Sequence, residues 1–286
     1  MGGETVVNKI EVATNYYQHF DADFELEIPG EGFGGWKKRP LPIDLDTTAV
    51  VVMHAWDTGS REQYPGWHRV VEYMTRAGEI GAAVFPRLLG SIRQAGVRLI
   101  HVVSPGDDYY RHYLGYRTTL QLAGEEPEEV ERMKPDPVMK QLQAFRHRHV
   151  FPGAHNEADI RSGFSRISFL ESCEPQGEES IAATSHQLFA LCRQAGITHL
   201  IYTGFAINWC LLLSPGGMAD MSKHGIMCSA IRQAVTAVEN RETARLQSNK
   251  EEALWRVGLA FGFVYDADDW IAALECRNLS GGKTDG

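Results

Sequence analysis

From Thr48 to His54 the chain reads TAVVVMH, a run of apolar and β-branched residues with no alternating polar position. A strand wetted on one face alternates, so an unbroken run predicts a strand covered on both faces, as in parallel sheets. The next patterned stretch, GEIGAAVFPRLLGSIRQAG, reads as a helix that stops at Gly96, a residue suited to a left-handed helix end. Pro86 inside it predicts a kink, because proline lacks an N–H and crowds the preceding turn. VRLIHVVS then predicts a second buried strand. The order recurs: IRQAGVRLIHVV (Ile92–Val103) is echoed by CRQAGITHLIYTG (Cys192–Gly204). Each is a helix end, a glycine stop and an apolar strand, a recurring βαβ solution rather than a repeat of fixed period.

The rest of the pattern is less regular. Residues 1–46, with PGEGFGGWKKRPLPIDLD, are rich in Gly and Pro and are expected to be a loop-rich N-terminal extension. Residues 47–286 then form the main domain. Within it, residues 104–179 hold an expected helix in EEPEEVERMKPDPVMKQLQAFRHRHVF and an expected loop in FPGAHNEADIRSGF. An insertion of that length is a natural lid or oligomer contact. Beyond Gly204, GIMCSAI predicts a strand, ENRETARLQSNKEEALWRVGLAF a helix, FGFVYD an edge strand and DADDWIAAL a short helix. The alternation predicts an α/β fold, a three-layer α-β-α sandwich with a doubly wound, mainly parallel sheet. In such sheets the site lies beyond the carboxyl ends of the strands, where His54, Ser104 and the Gly204–Cys210 segment fall.

Composition narrows the function classes. Of 286 residues, 43% are hydrophobic and 23% charged, enough for a sizeable core without staples. The net charge is 28 − 37 = −9, and the densest basic run is RHRH at Arg146–His149. Neither a nucleic acid nor an anionic membrane is an expected partner. The five cysteines are widely spaced with no C-x-x-C pair, so reduced thiols and a cytoplasmic location are expected. Met1 leads into a polar segment without the apolar stretch of a secretory signal, and no apolar run matches a membrane span.

The sharpest chemical signal is LIYTGFAINWCLLL, Leu200 to Leu213. An apolar strand ends in Thr-Gly, turns, and puts Cys210 where a helix opens. Unpaired N–H groups at a helix start favour the thiolate, the reactive form, and can hold a developing oxyanion. The plain alternative for Cys210 is a buried core thiol.

The segment Gly204-Phe205-Ala206-Ile207-Asn208-Trp209-Cys210, preceded by GITHLIYTG, resembles the cysteine turn of the isochorismatase-like cysteine hydrolases. That superfamily includes nicotinamidases and carbamoylases, and the order of elements is similar over roughly residues 47–275. The resemblance implies a cis Phe205–Ala206 peptide, an oxyanion hole made of the Ala206 and Cys210 amides, and a homo-oligomer; no cofactor is expected. It also implies an Asp-Lys-Cys triad, from which the chain departs. AVVVMHAWDTG puts His54 where the acid belongs and Asp57 at the motif's second Asp, and CEPQGEESIAATSHQLFALCRQ has no lysine.

Two readings of His54 stand: a base for Cys210, oriented by Asp57 in a Cys-His-Asp set, or a hydrogen-bonded residue filling the space of the lost acid. Trp56, Phe205 and Trp209 are candidate pocket walls. No metal is expected: Asp108 and His112 stand four apart in SPGDDYYRHYLGY, but a solvated tyrosine-rich loop is the simpler reading. The expected function is hydrolysis of an amide or related bond in a small molecule through Cys210. The alternative is a catalytically inactive or repurposed member that binds a small molecule or serves as an assembly module.

Overall fold

The computed structural model describes residues 8–128 and 130–281. Ten strands run in chain order: β1 (Lys9–Gln18), β2 (Gly35–Asp44), β3 (Thr48–Met53), β4 (Trp56–Asp57), β5 (Arg98–Val102), β6 (Ser168–Phe169), β7 (Ser180–Ala182), β8 (His199–Gly204), β9 (Met227–Val235) and β10 (Val264–Tyr265). Helices α1 (Pro65–Val70), α2 (Met74–Ala83) and α3 (Phe85–Gln94) follow β4, and α4 (Leu114–Ala123) follows β5. The insertion supplies α5 (Pro137–His149) and α6 (Glu157–Phe164). Then come α7 (Ser185–Ala195), α8 (Cys210–Leu213), α9 (Met218–Lys223), α10 (Ser248–Ala260) and α11 (Ala267–Gly281).

Eight strands form one sheet in the order β2-β1-β10-β9-β8-β3-β5-β7, parallel from β10 to β7, with an antiparallel hairpin at one edge. β4 and β6 pair separately. The unbroken apolar run of β3 has the predicted cause: it lies between β5 and β8 and every residue is buried. Ala49, Val51 and Met53 pack with Leu188 of α7, Leu211 of α8 and Leu254 of α10. Val50 and Val52 pack on the other face with Leu88 and Ile92 of α3 and Trp270 of α11. Period-two side-chain alternation thus feeds two cores, one per face. Each fully buried aliphatic side chain contributes about 1.5–3 kcal/mol. The three-layer α/β sandwich and its mainly parallel sheet are as the pattern predicts.

Four details differ from the sequence reading. Residues 9–44 are not loop-rich: β1 and β2 form a ten-residue ladder that joins the main sheet through β10. The prolines that suggested loop, Pro40 and Pro42, lie on the outermost strand, where a missing N–H interrupts no inner ladder. Residues 1–7 of that extension lie outside the described residues. For the same reason β10 is an interior strand rather than an edge. FPGAHNEADIRSGF is not loop throughout, since α6 occupies its second half. The helix after β9 begins only at Ser248, with turns before it. Pro86 does what its chemistry requires, splitting the preceding pattern into α2 and α3 at Val84.

Among the described residues, no helix is long and apolar enough to cross a membrane.

Candidate active site

The parallel register puts the ends of β3, β5 and β8 side by side: Met53 pairs with Val102 on one side and Gly204 on the other. The chain leaves β8 through Gly204, whose φ is +114°. A Cβ there would overlap the Met53 carbonyl, so only glycine lets the two strand ends close together. Phe205 N donates to Met53 O at 3.0 Å, and the Phe205–Ala206 peptide is cis.

The turn that follows is fixed from one side. Ile207 N donates to Thr236 O at 2.7 Å, and Asn208 bridges Val238 twice. Its Nδ2 donates to Val238 O and its Oδ1 accepts from Val238 N, each at 2.8 Å. Trp209 N and Leu211 N both donate to Ala206 O, at 3.2 and 3.1 Å. This folding points the amides of Ala206 and Cys210 away from every protein acceptor: among the described residues neither has a hydrogen-bond partner. Cys210 opens α8, which is only four residues long before Ser214 and the Pro-Gly-Gly that follows. So short a helix contributes little macrodipole, and the two free amides are the stronger electrostatic feature.

Cys210 is half-buried and lines a cavity of about 460 Å³ together with His54, Trp56, Asp57, Tyr73 and Phe205. Trp67 and Val71 come from α1 and the turn after it, and Met74 from α2. The insertion supplies Phe151, Pro152, Ile160 and Phe164. The wall is largely apolar and rich in aromatic rings, and no lysine or arginine is among the residues that form it. The lysine missing from the sequence motif is therefore not replaced from elsewhere at the wall.

His54 follows β3 with φ +51°, in the left-handed region that side-chain-bearing residues adopt rarely. Its N–H donates to Val102 O at 2.9 Å, which holds the turn. The imidazole is buried and stacks on Trp56, with centroids 4.6 Å apart and planes 16° apart. Trp56 is in turn fixed by its Nε1 donating to the Tyr109 hydroxyl at 2.8 Å. His54 Nε2 lies 3.5 Å from Ser104 Oγ, and Nδ1 has no partner. Burial pushes the imidazole pKa down to about 4, against a smaller opposing effect of the Val103 backbone. The ring is neutral at pH 7.

The structure brings Cys210, His54, Asp57, Trp56 and Phe205 to one cavity. It does not join them as the Cys-His-Asp set requires. No hydrogen bond links Cys210 to His54 among the described residues. Asp57 Oδ1 accepts from Gly59 N at 2.9 Å, in the local turn typical of aspartate. Trp209 is not a pocket wall and is 59% exposed. The turn sends Ile207 into the core and Asn208 onto residue 238, which leaves Trp209 outside.

Two contributors escape the sequence reading, Trp67 and Tyr73, while Ser104, expected at the strand ends, proves to be the neighbour of His54. The Tyr73 phenol is held protonated, above all by its burial, with the nearby Cys210 and Glu72 acting in the same direction. Trp67 and Tyr73 lie in SREQYPGWHRVVEYM, where Pro, Gly and charges mask two short helices. Asp108 is ion-paired with Arg111, and His112 packs on Tyr113. Among the described residues, no group of three or more His, Cys, Asp or Glu is placed to hold a metal ion.

No family model matches this chain, and no curated protein matches it. The fold is similar to solved structures. A cysteine hydrolase from Pseudomonas syringae pv. phaseolicola 1448A shares 15% identity and a TM-score of 0.47, over 83% of this chain and 96% of that one. An isochorismatase family protein from Burkholderia thailandensis shares 17% identity and a TM-score of 0.43, over 80% and 96%. N-carbamoylsarcosine amidase from Thermoplasma acidophilum shares 15% identity and a TM-score of 0.38, over 78% and 97%. Identity at this level fixes no residue's role.

Proposed function

We propose that this protein is a cysteine hydrolase of isochorismatase-like type, acting on an amide or related bond of a small, flat and largely apolar molecule. The observation that carries the reading is Cys210 on the wall of an aromatic cavity, beside two amides with no acceptor. In this reading the Cys210 sulfur attacks the substrate carbonyl. The Ala206 and Cys210 amides receive the oxyanion, where preorganised donors are worth most. His54 is neutral, so it takes the thiol proton only as the carbon–sulfur bond forms and passes it to the leaving group. Water, deprotonated by the same imidazole, then cleaves the thioester. Asp57 is left out of this scheme because no hydrogen bond joins its carboxylate to His54 among the described residues, while its Oδ1 accepts from Gly59 N. Trp56 and Phe205 shape the cavity. The reading includes a cytoplasmic setting, a homo-oligomer, and no nucleic-acid, membrane or cofactor partner.

A second reading is a non-catalytic family member that uses the same cavity to bind a small molecule. It is favoured by the missing Cys210–His54 hydrogen bond and by a wall without lysine. One experiment separates them: hydrolysis of p-nitrophenyl acetate and a panel of aryl amides by wild type and Cys210→Ala, with mass spectrometry of the trapped adduct. The hydrolase reading expects an acyl adduct on Cys210 and turnover lost in the variant. Turnover equal in both, or none in either, overturns it.

A further inference from the structure

We infer that the substrate carries a cationic head, a protonated or quaternary amine on an aromatic or apolar body, and that Asp57 and the rings beside it hold that head. This deepens the hydrolase reading and shares with it only the use of the cavity as a binding site.

The charge of the cavity wall is one-sided. Among the described residues that line it, Asp57 is the one carboxylate, and there is no lysine or arginine. His54, the one histidine there, is neutral at pH 7 because burial lowers its pKa to about 4. Asp57 is exposed whereas His54 is buried, so the carboxylate stands toward the mouth and the imidazole toward the inner end. The carboxylate is only half used. Its Oδ1 accepts from Gly59 N at 2.9 Å, and Oδ2 has neither a hydrogen bond nor an ion pair among the described residues. Pairing of Trp56 and Asp57 with Phe169 and Ser168 of β6 fixes the place of this segment.

The rings beside it favour the same sign. Trp56 meets Phe164 edge-on, with centroids 6.1 Å apart, and Phe164 packs on Trp67 at 4.9 Å. All three line the cavity. A cation within about 6 Å of an aromatic face is attracted by the ring quadrupole, most strongly where water is excluded. A substrate carboxylate meets those faces and Asp57 with no base on the wall to offset them, and an unpaired charge is costly to bury.

The bases on neighbouring segments do not reverse this. Arg69 is turned to Asn156, Arg76 to Glu72 and Arg161 to Glu157. His68 is turned to the Gly59 carbonyl, and Arg61 is exposed beside Glu62. Every other lysine, arginine and histidine of residues 130–171, with Lys140, Arg148 and Arg166 among them, is exposed and off the wall.

The test is isothermal titration calorimetry of the full chain with benzylamine, benzyltrimethylammonium, benzyl alcohol and benzoate. It compares wild type, Asp57→Asn and Glu25→Gln. Asparagine keeps an Oδ1 acceptor for Gly59 N, and Glu25→Gln removes the same charge from the exposed loop between β1 and β2, off the cavity wall. A circular-dichroism melt checks that both variants keep the fold. Wild type is expected to bind both cations at least about tenfold more tightly than benzyl alcohol, and benzoate more weakly than either. In Asp57→Asn that preference is expected to fall at least about fivefold, with benzyl alcohol unchanged, and in Glu25→Gln to be kept. Benzyltrimethylammonium has no N–H, so its preference reports charge and rings rather than a hydrogen bond. Benzoate bound as tightly as benzylamine, a preference that survives Asp57→Asn or is lost equally in Glu25→Gln, or no binding of any probe overturns the inference. Hydrolysis of p-nitrophenyl acetate is read on the same samples. Turnover without a cation preference overturns this inference alone, and a cation preference without turnover overturns the hydrolase reading alone.

Discussion

The imidazole of His54 lies flat against the indole of Trp56, with ring centroids 4.6 Å apart. The stack does two things to the base position. It fixes the ring, since Trp56 is itself held by Tyr109, and it keeps water off the imidazole, which lowers its pKa to about 4. In the hydrolase reading His54 must be neutral to accept a proton, so kcat/KM holds its plateau down toward pH 4 and falls below it. An unperturbed histidine would put that limb near 6.5. Trp56→Leu rehydrates the ring and moves the limb upward, and His54→Gln lowers kcat by about 10²–10⁴-fold. A pH–rate profile of the three proteins checks both.

Acid stability follows from the same burial. His54 and His199 both have pKa values lowered to about 4 by burial. Because the unfolded chain binds those protons first, their stabilisation is complete above about 6.5 and is lost as pH falls toward 4. For His54 the loss is at most about 3 kcal/mol. Glu179 behaves alike at lower pH: burial raises its pKa, but His101, Arg93 and the Gln176 amide outweigh that and hold it at about 2. Its contribution is lost between about 4.5 and 2. Urea midpoints across pH 7 to 3 are expected to fall in these two stages, and His54→Gln to flatten the first.

Asn208 is the clamp on the nucleophile turn. Asn208→Ala removes both bonds to Val238 and is expected to cost about 1–3 kcal/mol. Because the same turn aims the Ala206 and Cys210 amides, kcat is expected to fall more than KM rises. Steady-state kinetics alongside a denaturant titration separate the two effects.

Gly204→Ala places a Cβ against the Met53 carbonyl at a positive φ. The expected outcome is a loss of at least about 2 kcal/mol, read as a lowered Tm. Gly96, at the opposite end of the sheet before β5, also has a positive φ but meets nothing within 4 Å. Gly96→Ala is therefore expected to cost less, and the difference measures the close approach of β3 and β8.

Much of the architecture was legible in the chain because a parallel sheet leaves a local mark: β3, β5 and β8 are short apolar runs, and each helix stop before β5 and β8 is a glycine. The cysteine turn was legible for the same reason, since Gly204 to Cys210 is contiguous. Three features were not. The β1–β2 hairpin was hidden because prolines on an outermost strand look like loop until the strand's neighbours are known. Trp67 and Tyr73 were hidden because two short helices carry little periodicity. The partner of Asp57 was hidden because three residues' distance from His54 says nothing of direction, and its Oδ1 accepts from Gly59 N in the local turn.

By itself, then, the sequence determined what short-range chemistry enforces: buried strands, glycine stops, the break at Pro86 and a cysteine at the end of the β8 turn. Tertiary structure alone decided the rest. Stacking on Trp56 keeps the His54 ring neutral, and the 236–238 backbone turns two amides toward an open site. Residues from α1, α2 and the insertion close the cavity over Cys210. Those are effects of desolvation and long-range hydrogen bonding, and they depend on neighbours that the order of residues does not name.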